Sequence, residues 1–108
     1  MAKYLFQATY TSDAWAAQVK NPQNRVEAVR PVIEGLGGHI ESVYFAFGEY
    51  DAVVIFDMPD NVSMAAFSLA AAAGGAVKAV KTTPLMTIEE GMEAMRKASG
   101  TGYRPPRS

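Results

Sequence analysis

The chain has no cysteine and a single histidine. Without thiols there is no disulfide, no thiolate nucleophile and no cysteine-ligated zinc, and His39 is left as the only imidazole. No metal site and no cofactor is therefore expected. Charge of one sign is not in excess: 10 Lys and Arg stand against 11 Asp and Glu, and the basic residues are scattered rather than striped. That balance argues against a nucleic-acid or anionic-membrane partner. Long apolar runs are missing too. The longest, AAFSLAAAAGGAV at 65–77, is interrupted by glycines and too short to span a bilayer, and MAKYLFQATYTS at the start lacks a basic segment followed by a sustained apolar one. A cytoplasmic protein is expected.

What is present points to an ordered domain. Of the 108 residues, 49% are hydrophobic and 19% charged, with 5 Tyr and 5 Phe, enough apolar surface to offset chain entropy without disulfide or metal staples. We read one domain over 1–97 and a flexible Gly- and Pro-rich tail over 98–108, where SGTGYRPPRS shows no apolar period.

Alternation in KYLFQATY (3–10) predicts a strand, and a polar stretch with Trp15 and Pro22 follows. From Asn24, Val26, Val29, Ile33 and Leu36 recur at helical spacing and GLGG supplies a helix stop, although Pro31 should kink or divide this helix. HIESVYFAF (39–47) and AVVIFDM (52–58) read as strands joined by a tight turn at GEYD. Asp60 is placed to cap a helix that ends at Gly74 and Gly75, AVKAVKTTPL reads as a fourth strand, and Thr87 with Glu90 forms a capping-box signature for a last helix bearing Ile88, Met92 and Met95. The repeated order strand, helix, strand predicts an α+β ferredoxin-like βαββαβ sandwich: a four-stranded antiparallel sheet with an extra C-terminal helix.

The turn fixes which residues share a face. With Gly48 and Glu49 at the centre of a type II′ turn, Phe47 faces Tyr50. Val43, Phe45, Phe47, Tyr50, Ala52, Val54, Phe56 and Met58 then lie on a helix-covered face. Ile40, Ser42, Tyr44, Ala46, Asp51, Val53, Ile55 and Asp57 lie on the other, joined by Leu5, Gln7 and Thr9. No helix of the four-strand unit remains to cover this half-apolar second face, except the C-terminal one, so a second copy is expected to pair with it, either enclosing a small cavity between the sheets or packing dry as an interface alone.

GEYD at 48–51, LGGHIESVYFAF before it and AVVIFDMPD after it resemble the GYD domain family, as do NPQNR, the Ala-rich second helix and VKAVKTTPLMTIEE. The resemblance spans about residues 3 to 95 and implies a ferredoxin-like domain of the dimeric α/β-barrel class. That class includes cofactor-independent monooxygenases, dehydratases, haem enzymes and ligand-binding regulators, so it specifies no activity by itself.

Gly48, Glu49, Tyr50 and Asp51 have a structural reading as the turn, with Asp51 accepting hydrogen bonds from nearby amides. As weak candidates for proton transfer we single out Asp51, His39 and Tyr44, and for ligand contact Gln7, Thr9, Ser42, Tyr44, Asp51 and Trp15. The favoured function is a binding or assembly protein that forms a homo-oligomer. The alternative is a cofactor-independent, monooxygenase-like or isomerase-like enzyme acting on a small aromatic or quinone-like compound.

Overall fold

A computed structural model describes residues 1–106. Four strands, β1 (Ala2–Tyr10), β2 (His39–Phe45), β3 (Ala52–Met58) and β4 (Val77–Leu85), form one antiparallel sheet in the order β2-β3-β1-β4. Four helices accompany them: α1 (Ser12–Lys20), α2 (Arg25–Gly35), α3 (Asn61–Ala73) and α4 (Ile88–Ser99). The arrangement is α+β and ferredoxin-like. β1 and β3 are the interior strands, and in β1 Tyr4, Phe6 and Ala8 alternate with Leu5, Gln7 and Thr9, giving a buried face and a half-exposed one.

The core lies on the first of these faces. Tyr4, Phe6 and Ala8 of β1 and Phe56 and Met58 of β3 meet Ile33 of α2 and Met64 and Phe67 of α3, with Phe6, Phe56 and Phe67 mutually tilted at centroid separations of 5.2–5.8 Å. Asp60 accepts from the Ser63 amide as the α3 cap, and that bond holds its carboxyl below the usual carboxylate range. α2 ends in a Schellman arrangement: Gly37, at φ 86°, donates to Glu34 O, and Gly38 donates to Ile33 O.

The structure differs from the sequence reading in several places. The polar stretch after β1 is helix α1, capped by Thr11 Oγ1, which accepts from Ala14 N at 3.1 Å. Pro31 does not divide α2; it lies on the exposed side, where the helix forgoes one backbone donor. The hairpin connection is longer than a two-residue turn, since the strands stop at Phe45 and Ala52 and Gly48 adopts a near-extended φ of 159°. The expected register nevertheless holds through Phe45↔Ala52, Val43↔Val54 and Ser42↔Ile55. Beyond Ser42 a bulge at Glu41 shifts it, so Ile40 opposite Phe56 packs on the core, the reverse of its expected side, and His39 opposite Asp57 lies on the other face. Finally, Phe45 and Phe47 are exposed rather than covered, Phe47 completely.

α4 has the expected capping box, with Thr87 and Glu90 exchanging hydrogen bonds at 2.9 and 3.0 Å. It contributes no buried residue, and Ile88, Met92 and Met95 all remain exposed. Thr87→Ala should therefore fray this helix by about 1 kcal/mol. The effect should appear as faster amide exchange in its first turn with an unchanged global melting temperature; a global shift would mean that α4 is coupled to the core. The helix runs to Ser99, two residues into the segment read as tail, and the last two tail residues, 107 and 108, lie outside the described residues.

Candidate functional site

The residues singled out in the sequence fall into three groups. Across the open sheet face, Tyr44, Val53 and Gln7 form one row, and Ser42, Ile55 and Leu5 form the next. Tyr44 is 70% exposed on the edge strand, whereas Gln7 and Ser42 are partly covered by their neighbours. At the hairpin end, Thr9, Trp15 and Asp51 come together. At the opposite end, His39 sits beside Asp57, whose carboxylate Oδ1 accepts from Lys3 Nζ at 2.9 Å. Lys3 also donates to Glu41 in the bulge, and the bonds to Asp57 and Glu41 together raise its pKa. His39 and Asp51 are thus at opposite ends of the sheet.

Asp51 is the junction of the hairpin end. Where the β1–β4 ladder shifts between Thr9 and Tyr10, the Tyr10 amide turns to Asp51 Oδ2 at 2.9 Å, and the same oxygen accepts from Trp15 Nε1 at 3.0 Å. The Asp51 backbone adds two more ties, donating to Ala8 O at 2.9 Å and accepting from Ala46 N at 2.8 Å. Thr9 Oγ1 donates to Glu49 O at 2.8 Å, fixing the turn over β1. One carboxylate therefore joins β1, α1 and the hairpin. The donors are the β1 bulge and the indole, not the turn amides that sequence reasoning suggested.

Two cavities flank this junction. An open cleft of about 540 Å³ lies between the turn and β4, lined by Thr9, Trp15, Tyr50, Asp51 and Lys78 among others. Its aromatic wall is Tyr10 against Trp15, edge to face at 5.3 Å. The ring of Tyr50, expected on the core face, borders this cleft. The second cavity, of about 220 Å³, lies under α2 and is walled mainly by apolar and aromatic side chains of α2, β2 and β3, with Tyr10, Asn24 and Arg25 beside them. Tyr10 and Arg25 were not singled out in the sequence. The alternation of β1 signals that Tyr10 is on the helix side, but no sequence pattern reveals where α2 docks above it. Burial raises the Tyr10 phenol above its ordinary pKa; Arg25 offsets part of that and Asp51 adds to it. Among the described residues no group of three or more His, Cys, Asp or Glu side chains is placed to hold a metal ion.

The chain matches the family described as GYD domain over residues 4–95. The chain belongs to the GYD domain family. In this GYD domain, Asp51 is the carboxylate that joins β1, α1 and the hairpin, Gly48 lies in the connection and Tyr50 borders the cleft. No curated protein matches the GYD domain chain. Among the described residues no helix is long and apolar enough to cross a membrane.

Proposed function

We propose that this GYD domain is a homo-oligomeric binding protein in which two copies pair through their open sheet faces and enclose a small-molecule site. The observation that carries this reading is uncovered surface. The chain exposes 7724 Å², against ~5,800 Å² for a compact monomer of its 11.6 kDa. The excess is larger than the ~800 Å² per partner that a standard protein interface buries, and it is shared between the half-exposed open face and α4, which buries no residue and leaves Ile88, Met92 and Met95 exposed. Its radius of gyration of 17.4 Å likewise exceeds the ~13 Å of a compact domain of this length.

The open face suits a second copy because Leu5, Val53 and Ile55 form its apolar centre while Gln7, Ser42 and Tyr44 surround them with hydrogen-bonding groups. Closed by a second sheet, those polar groups would contact a small polar or aromatic molecule, which the hairpin-end cleft would admit. In this reading the oligomer works in the cytoplasm. Binding is favoured over catalysis because Asp51 Oδ2 is already engaged by two donors and His39 lies far along the sheet from it.

Light scattering at micromolar concentration should give at least twice the 11.6 kDa chain mass. Ile55→Asp, which places a charge at the centre of the face, should return the protein to a monomer. A wild-type monomer would refute the reading, and so would an Ile55→Asp variant that keeps the wild-type mass.

A further inference from the structure

We propose that the cavity beneath α2 is a separate binding site for a small monocarboxylate with a compact apolar body. Val26 and Val29 of α2, Ile40 and Val43 of β2 and Val54 and Phe56 of β3 form its walls. Such walls can exclude water from whatever sits between them, but they offer no hydrogen bonds. Polar recognition must come from the rim, and there the composition changes: Arg25 and Tyr10 stand together.

Arg25 is the informative residue. Its neighbour on α2, Arg30, pairs with Glu27 at 3.8 Å, and the other ion pairs among the described residues are those of Lys3 with Glu41 and Asp57 and of Arg96 with Glu93. Arg25 has no carboxylate partner among them. The hydroxyl of Tyr10 likewise has no hydrogen-bond partner among the described residues; only its backbone N–H is engaged, by Asp51. With its pKa raised by burial, the phenol keeps its proton at neutral pH and remains a donor. A guanidinium and a protonated phenol at the mouth of an apolar cavity are two donor groups without an acceptor. A carboxylate meets both: it can pair with the guanidinium through two parallel N–H bonds and accept from the phenol.

Volume sets the size of the apolar part. About 220 Å³ is the share of roughly seven liquid waters and is below the ~300–1,000 Å³ of drug-sized pockets. A single ring or short branched chain fits this space, and a fused ring system or long acyl chain does not. The cavity is on the helix side of the sheet and the face proposed to pair is the other, with edge-strand Tyr44 bordering both, so a substitution at the centre of the pairing face separates the two ideas.

Benzoate is the probe and benzamide its neutral isostere, each titrated into the full ¹⁵N-labelled chain. Benzoate should shift the amides of Val26, Val29, Val54 and Tyr10 saturably and bind about tenfold more tightly than benzamide. Arg25→Met, at an exposed position, should weaken benzoate by about the same factor and leave benzamide unchanged. Val26→Phe, which fills the cavity from α2, should abolish binding of both, whereas Ile55→Asp should bind benzoate like the wild type. Equal binding of the two probes, no effect of Arg25→Met, retained binding in Val26→Phe, or shifts centred on the hairpin-end cleft would each overturn the proposal.

Discussion

Gly38→Ala should destabilise the fold by about 3 kcal/mol, lowering the melting temperature by at least ~12 °C. A methyl at this position would stand 2.3 Å from Met58 Sδ and 2.5 Å from the carbonyl oxygen of Asp57, with Ile33 Cγ2 at 3.3 Å. Met58 and Ile33 are fully buried and Asp57 O belongs to an interior strand, so none of the three can yield without disturbing the core. Gly37→Ala is the control. There the methyl would meet only Pro59 at ordinary contact distance, but φ is 86°, so the cost is backbone strain of about 1 kcal/mol. The order should hold in a thermal melt, Gly38→Ala falling well below Gly37→Ala. A Gly38→Ala protein that melts within a degree or two of wild type would mean that α2 does not approach β3 so closely.

Asp51→Ala should cost about 2–3 kcal/mol, because it removes the acceptor shared by the Tyr10 amide and the Trp15 indole. Asp51 is only half-buried, so water can take up part of the lost bonding and the loss is less than that of two fully buried charged bonds. Trp15 is the only tryptophan in the chain, which makes its emission a direct report on this junction. In Asp51→Ala that emission should move to longer wavelength as the indole is released toward solvent. Asp51→Asn, retaining a carbonyl oxygen, should recover part of both losses. Unchanged stability and emission in Asp51→Ala would rule out a structural role and return this carboxylate to the candidates for chemistry.

The hairpin shows how far sequence reasoning reaches. Its register is legible because two apolar strands flank a Gly-containing connection, and a one-residue slip would put Val54 and Phe56 on the wrong face. The bulge at Glu41 is not legible, because it is selected by the docking of Ile40 on the core and by Lys3 bridging Glu41 and Asp57 from a distant strand. α1 escaped the periodicity test since it buries no residue, yet its punctuation is in the sequence: Thr11 as cap, Asp13 in the first turn, Lys20 in the last and Pro22 just beyond. The same limit applies to the site. Thr9 and Asp51 can be assigned to a face by counting, whereas Trp15 reaches Asp51 through a helix that counting did not reveal. Tyr10 and Arg25 meet only because α2 docks against β2 and so carries its first residue to the end of β1.

The position of β1 has a kinetic consequence. Among the described residues the β2–β3 hairpin is the one pair of sheet neighbours that are also consecutive strands in sequence, so it can close within microseconds of collapse. β1, the first strand made, must wait for both of its partners, since Lys3 pairs with Asp57 on one side and Leu85 on the other. Long loops must be closed before either pairing is rewarded, so docking of the N-terminal strand is the expected slow step of folding. The carboxylate of Asp51 then acts as a late latch, engaging the Tyr10 amide and the Trp15 indole only after the last-formed ladder is in place.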